Sequence, residues 1–203
     1  MAKALIVVAV LVVVLLMFFG MYIGAKNQMV AKNETIKSNW AEVDNNLKRR
    51  ADLIPNLVET VKGITGQEQA VFGEIARARS ALLSASTPKD KIAANGQLDG
   101  AFGRLLAVVE NYPQLKSSEN FLRLQDELAG TENRLAVSRK RYNDSIQDYN
   151  TFILQFPNSL FAGIAGFSRN NDYFQVSETE RQVPKVNFGT QPQNPAPAPA
   201  PAK

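Results

Sequence analysis

The sequence predicts an all-α protein: an N-terminal transmembrane helix continuing into an antiparallel bundle of long helices. Three observations carry this. Residues 4–23 form an uninterrupted apolar run. Most of the following 130 or so residues repeat apolar side chains at helical spacing. No alternating apolar–polar stretch bounded by turn residues reads as a strand or hairpin.

The apolar run comes first. At about 1.5 Å per residue its positions span roughly 30 Å, the thickness of a bilayer core. It is longer than a signal-peptide core, and no small-residue cleavage pattern closes it. Tyr22 falls where an interfacial aromatic belongs. Lys3 precedes the run, while Lys26, Lys32 and Lys37 follow it. This charge bias slightly favours an outside amino terminus and a cytoplasmic bundle. A short N-terminus with one Lys also fits the opposite orientation.

Beyond the anchor, Ile36, Trp40, Val43 and Leu47 are spaced four, three and four apart. The stripe resumes at Ile54, Val58 and Val61 and runs through Phe72, Ile75, Arg79 and Leu82. Pro55 removes an amide donor, so a first helix is expected to end near Leu53 and a second to run from Pro55 to Ser84. Thr87-Pro88-Lys89-Asp90 is a helix start, with Thr87 as cap, Pro88 at the first position and Asp90 in the first turn. A third helix then reaches Asn111, where Tyr112-Pro113 stops it. The fourth covers about 118–154, with Phe121, Leu128, Leu135, Tyr142 and Tyr149 seven apart. At about 55 Å it must bury that stripe against neighbours. Glycines 96, 100 and 103 would weaken the third helix and serve close packing in the bundle or self-association.

After the Phe156-Pro157-Asn158 breaker, residues 160–167 are apolar but too short to cross a bilayer. They could cover the bundle end, dip into the membrane interface or bind a partner. Phe174 and residues 183–188 read as extended chain on the bundle, and the Pro/Ala-rich end as a disordered tail. The expected division is 1–25 anchor, 26–155 helical bundle, 156–189 apolar cap and extended segment, and 190–203 tail.

Composition limits the chemistry. The chain has no Cys and no His. This excludes thiolate zinc sites, cysteine or Ser-His-Asp catalysis and phospho-histidine relay. A net charge of +4 gives no argument for nucleic acid. No Walker loop, dinucleotide fingerprint or EF-hand is present. A carboxylate or lysine enzyme stays formally open, with Asp44, Asp52 and Glu59 as its candidate groups, but no nucleophile partner or oxyanion donors are recognisable beside them. The expected reading is a protein that is not an enzyme, with no catalytic, cofactor-binding or metal-binding residues.

The candidate interaction or structural cluster is Trp40, Asp44, Lys48, Arg49, Arg50, Asp52, Asn56 and Glu59. Asp44–Lys48 and Lys48–Asp52 are four apart on a helix, which suits a surface ion-pair ladder worth about 0.3–0.5 kcal/mol per pair. The same residues could form a docking surface. Trp40, inside an apolar stripe, reads as core. A second polar cluster holds Glu132, Asn133, Arg134 and the basic run Arg139, Lys140, Arg141, expected to be a solvated helix face.

The chain resembles the LemA family over nearly its whole length. The resemblance rests on Trp40-Ala41-Glu42-Val43-Asp44 and on Leu47-Lys48-Arg49-Arg50-Ala51-Asp52-Leu53-Ile54-Pro55-Asn56-Leu57-Val58. It continues in Tyr112-Pro113-Gln114-Leu115-Lys116, Asn120-Phe121-Leu122-Arg123-Leu124-Gln125 and Thr131-Glu132-Asn133-Arg134. Tyr142-Asn143, Tyr149-Asn150, Phe156-Pro157 and residues 163–167 complete it. The Pro-Ala tail falls outside. The resemblance implies a membrane anchor, an antiparallel bundle and a bacterial inner-membrane, single-pass location with the bundle in the cytoplasm. It implies no established activity. The expected function is a membrane-tethered scaffold or adaptor. Its expected partners are the lipid bilayer, a membrane or membrane-proximal protein, and a second copy of the chain. A lipid-binding or membrane-remodelling role is the alternative.

Overall fold

The computed structural model describes residues 1–65 and 68–175. Residues 183–188 and the tail lie outside the described residues. Among those described there is no strand. The helices are α1 (Ala2–Thr65), α2 (Gln69–Ser84), α3 (Pro88–Glu110), the single turn α4 (Pro113–Lys116), α5 (Glu119–Leu154) and α6 (Asn158–Ala165).

The long helix α1 changes solvent along its length. Every residue up to Met21 is exposed, Tyr22 is half-buried, and Ala25 is the first buried side chain. From there α1 packs along α5. Its buried positions Met29, Ile36, Val43, Arg50 and Leu57 recur every seven residues, as do Leu47, Ile54 and Val61. The partner line on α5 is Phe121, Leu128, Leu135, Tyr142 and Tyr149, and a second line is Leu124, Thr131, Ser138 and Ser145. This is the seven-residue seam of an antiparallel coiled coil. The Trp40 ring packs at 5.1 Å against Tyr142, tilted by 57°, and Asn46 donates to the Ser138 hydroxyl at 3.2 Å. Arg50 meets Glu132, so contacts descend α5 as they climb α1. The small polar residues of the second line satisfy their hydroxyls within the helix, Thr131 to the Leu128 carbonyl and Ser138 to that of Leu135.

Helices α2 and α3 form a hairpin against the far end of α1. The start of α3 is capped as its sequence predicts: the Thr87 hydroxyl accepts from the Asp90 amide at 3.1 Å and donates to its carboxylate at 2.7 Å. The one-turn α4, which the sequence reading did not anticipate, seats the buried Leu115 between α3 and α5.

The expected break at Pro55 does not occur. Helix α1 runs through it to Thr65, and α2 begins at Gln69. The reason lies in the hydrogen bond that Pro55 cannot make. An amide at position 55 would donate to the Ala51 carbonyl, and proline has none. Arg79 of α2 supplies the missing donor: its Nε reaches the Ala51 oxygen at 2.8 Å. Ile54, Leu57, Val58 and Val61 are all buried, so continuing the helix also keeps the seam closed.

The chain after α6 lies along α5 and is held by two Tyr-Asn pairs. Asn143 acts as a surrogate peptide, with its amide donating to the Phe174 carbonyl at 2.9 Å and its oxygen accepting from the Phe174 amide at 2.8 Å. Asn150 repeats this on Asn170, at 2.7 and 2.9 Å. Tyr142 donates to the Asp172 carbonyl and Tyr149 to that of Ser168, both at 2.9 Å. Seven helical residues advance about 10.5 Å. The four-residue step from Asn170 to Phe174 covers about 13 Å if fully extended. A chain just short of full extension therefore matches the heptad.

Two measurements test these contacts. Arg79→Leu should cost about 1–3 kcal/mol, because it strands a buried carbonyl. In a Pro55→Ala background the cost should shrink, since the restored amide takes that carbonyl; urea unfolding of the four variants reads the coupling. The Tyr142 phenol is pushed up from 10.0 to about 12, by burial first and by Asp172 second. Its folded value lies above the unfolded one, so its contribution is complete below about pH 10 and is lost as pH rises towards 12. Denaturant melts across that window should show a loss in the native chain that is smaller in Tyr142→Phe.

Candidate functional site

The structure divides the predicted cluster in α1 between two sides. Trp40 is half-buried against Tyr142. Asp44 and Arg50 face inward. Lys48, Arg49, Asp52, Asn56 and Glu59 are exposed. The ladder expected along α1 is replaced by pairs that leave the helix. Asp44 pairs with Lys91 of α3, and Asp52 lies 3.9 Å from Arg79 of α2. Glu59 pairs within the helix, with Lys62 at 3.0 Å. Interhelical pairing prevails because the carboxylates on the inner edge of α1 meet cations on neighbouring helices.

Arg50 is the centre of the site. It occupies a seam position between Val43 and Leu57, and only 7% of it is exposed. Its Nη1 lies 2.5 Å from Asp99 Oδ1, 3.0 Å from Glu132 Oε2 and 3.2 Å from Asn95 Oδ1. One guanidinium therefore ties α1 to α3 and α5. Nη1 has two hydrogens for three acceptors. The buried Glu132 Oε2 is the atom left with attraction but no hydrogen bond. Asn95 donates to Asp99 Oδ2 at 2.9 Å, which orients that carboxylate. Arg139 approaches Glu132 Oε1 at 3.3 Å and stacks on Phe174 at 5.0 Å.

The basic run of α5 divides: Arg139 is turned into the fold, while Lys140 and Arg141 stand on the exposed, solvated helix face that the sequence predicts. Arg139 is mostly buried, Arg141 pairs with Glu42 of α1 at 3.0 Å, and Lys140 pairs with Asp144 at 2.6 Å. Sequence reasoning missed Asn95 and Asp99 as partners of Arg50. The available signal was a charged residue on a heptad line of apolar ones, which demands counter-charges from elsewhere.

Beside Arg50 a cleft of about 420 Å³ opens between α3 and α5. Arg50, Asp99 and Glu132 form its polar floor, and Phe102, Leu106 and Leu128 are among its apolar walls. Of the three α3 glycines the sequence singles out, Gly103 lines the cleft. Gly96, Gly100 and Gly103 are exposed, and a methyl group added to any of them would meet nothing within 4 Å. They therefore serve no close helix packing within this bundle. Among the described residues, no three acidic side chains gather in a way that could hold a metal ion.

An apolar helix long enough to cross a membrane, running without a break into a four-helix bundle, defines a class: membrane-anchored helical proteins. The LemA family pattern matches residues 39–188, most of the chain, and the protein belongs to the LemA family. Among its relatives, magnetosome protein MamQ 2 of Paramagnetospirillum magneticum is 27% identical over 198 residues, covering 85% of this chain and 72% of the relative. MamQ of Magnetospirillum gryphiswaldense is 25% identical over 187 residues, covering 79% and 69%. Protein LemA of Metamycoplasma hominis is 26% identical over 165 residues, covering 81% and 75%.

Truncating the hub should be costly. Arg50→Ala leaves Asp99 and Glu132 facing each other without their shared cation. The expected loss is about 3 kcal/mol, at the low end for a buried pair because the Glu132 side chain is 43% exposed. Arg50→Lys should fall between, having the charge but not the forked donors. Chemical denaturation of both variants checks this order.

Proposed function

We propose that the protein is a non-enzymatic, membrane-tethered scaffold or adaptor that works through protein–protein contact. The carrying observation is the open cleft between α3 and α5, with its charged floor and apolar walls. The bare glycine face of α3 beside it lets a second helix approach the backbone closely. An interface needs an apolar centre with a few oriented polar groups, and this surface offers both. The hub side chains are already tied to three helices, so they are held in place before a partner arrives, which lowers the entropic cost of binding.

The continuous α1 supports the same reading. It joins span and bundle without a flexible linker, so the cleft is tethered at a distance set by α1, about 40 Å along the helix from the end of the apolar run, and its concentration relative to membrane partners is raised. We assign residues 1–25 to the anchor and 26–155 to the bundle. Residues 156–189 would cap it, and 190–203 would form a tail able to reach a second partner. We read the bundle as cytoplasmic and the amino terminus as outside, in a bacterial inner membrane, because Lys26, Lys32 and Lys37 follow the span and Lys3 alone precedes it. Protease accessibility in intact cells against opened vesicles tests the side.

The glycine face allows a test that separates folding from binding. Gly100→Ala should stabilise the bundle by about 0.5–1 kcal/mol, because alanine is the better helix former and nothing obstructs it. Gly103→Leu should also fold, while filling the approach to the cleft. Cross-linking in membranes should capture a specific partner or a homo-oligomer with the native chain and lose it with Gly103→Leu. Recovery of monomer alone from the native chain, or capture that Gly103→Leu leaves unchanged, would count against the proposal.

A further inference from the structure

Helix α6 is placed at an informative depth. Its buried Phe161 ring lies 5.1 Å from the ring of Phe18 and 5.8 Å from that of Tyr22, edge-on in both cases. Both partners belong to the apolar run of α1. Phe18 is five residues before Ile23, the last residue of that run, and so lies about 7–8 Å inside its end. Interfacial helices sit about 5–10 Å into the boundary between headgroups and acyl chains.

The outer face of α6 fits that setting. Leu160 is 54% and Ile164 71% exposed, one helical turn apart, and Phe156 just before the helix is 82% exposed. Residues 149–168 contain no charged side chain, so no charge on this segment resists leaving water. Several backbone groups at the helix ends are satisfied locally, which lowers the cost of a lipid environment. Gly166 adopts φ 76°, the left-handed conformation open to glycine. This lets the Phe167 amide reach the Ala162 carbonyl at 2.9 Å, while the Gly166 amide turns back to Gly163. At the start, the Ser159 amide donates to the Gln155 carbonyl at 2.9 Å. Eight residues make about 12 Å of helix, too short to cross a bilayer but enough to lie in one leaflet.

We propose that α6 is a second membrane contact, lying in the headgroup–acyl boundary beside the span with Leu160, Ile164 and Phe156 in the lipid. The inference rests on the reading that α1 crosses the membrane. The occupant of the exposed face is the bilayer because α1, at the same depth, is itself lipid-covered on the sides that Phe161 does not touch. The consequence is orientational. A lone span leaves a bundle free to rotate about the span axis. A second contact on one side fixes which face of the bundle is turned to the membrane.

The chain has no cysteine, so single cysteines label uniquely. Spin labels at Leu160→Cys and Ile164→Cys in the full chain in phospholipid vesicles are compared with Val12→Cys in the span and Val137→Cys on the exposed bundle surface. Collision with oxygen reports lipid, and collision with a water-soluble nickel chelate reports water. The expected result is an oxygen-to-nickel ratio at 160 and 164 several-fold above that at 137 and below that at 12, which lies deeper in the bilayer. Nickel access equal to that at 137 would overturn the inference. Low access to both reagents would overturn it too, because a protein partner or a second copy then covers the face. If position 12 also reads as water, the span and the inference fall together; if position 12 reads as lipid while 160 and 164 do not, α6 alone is refuted. Either labelled position suffices should the other variant not fold.

Discussion

The architecture depends on the seam between α1 and α5. Helix α1 runs from the apolar span into the bundle with no break, so around Tyr22–Ala25 its covering must change from lipid, with only α6 against Phe18 and Tyr22, to α5 along one side. Its companion α5 supplies that protein over about 30 residues of contact. A long helix in water is held by burial of one face rather than by its own hydrogen bonds. The heptad lines on both helices make such burial continuous, and the hairpin α2–α3 and the chain after α6 are added onto that pair.

Polar groups on the seam are settled by specific partners. Pro55 leaves the Ala51 carbonyl without a donor, and Arg79 fills the gap from another helix. Arg50 sits among apolar neighbours, and Asn95, Asp99 and Glu132 converge on it from two others. The Tyr-Asn pairs of α5 lend their side chains to the backbone of the chain beyond α6. Each arrangement replaces a missing or costly local interaction with one between distant segments. Each therefore selects a single register of the helices, as a lone polar group in a coiled-coil seam does.

These constraints bear on function. The hub rigidifies the junction of α1, α3 and α5, and the cleft opens there instead of at a flexible end. With the bundle joined rigidly to the membrane, a partner would meet a surface of fixed height. A contact of α6 with the lipid would add a fixed direction. Position and orientation are what the proposed scaffold would have to provide, and helix packing would supply both.

Several features were legible in the sequence because they depend on neighbours along the chain. The apolar run, the heptads of α5, the cap at Thr87 and the family pattern all belong to this kind. The sequence also picked out Arg50 and Glu132 of the hub, in two separate clusters, and the Tyr142-Asn143 and Tyr149-Asn150 pairs. It did not reveal their use. The break expected at Pro55 followed from a local rule, and Arg79, 24 residues away, overrode it. An ion-pair ladder along α1 was the local solution for Asp44 and Asp52, yet cations on α3 and α2 took those carboxylates. Periodicity determined by itself that the chain makes an anchor and long amphipathic helices. Only the tertiary structure decided which polar groups meet, because a hydrogen bond or ion pair between helices depends on register and rotation, which no spacing within one helix encodes.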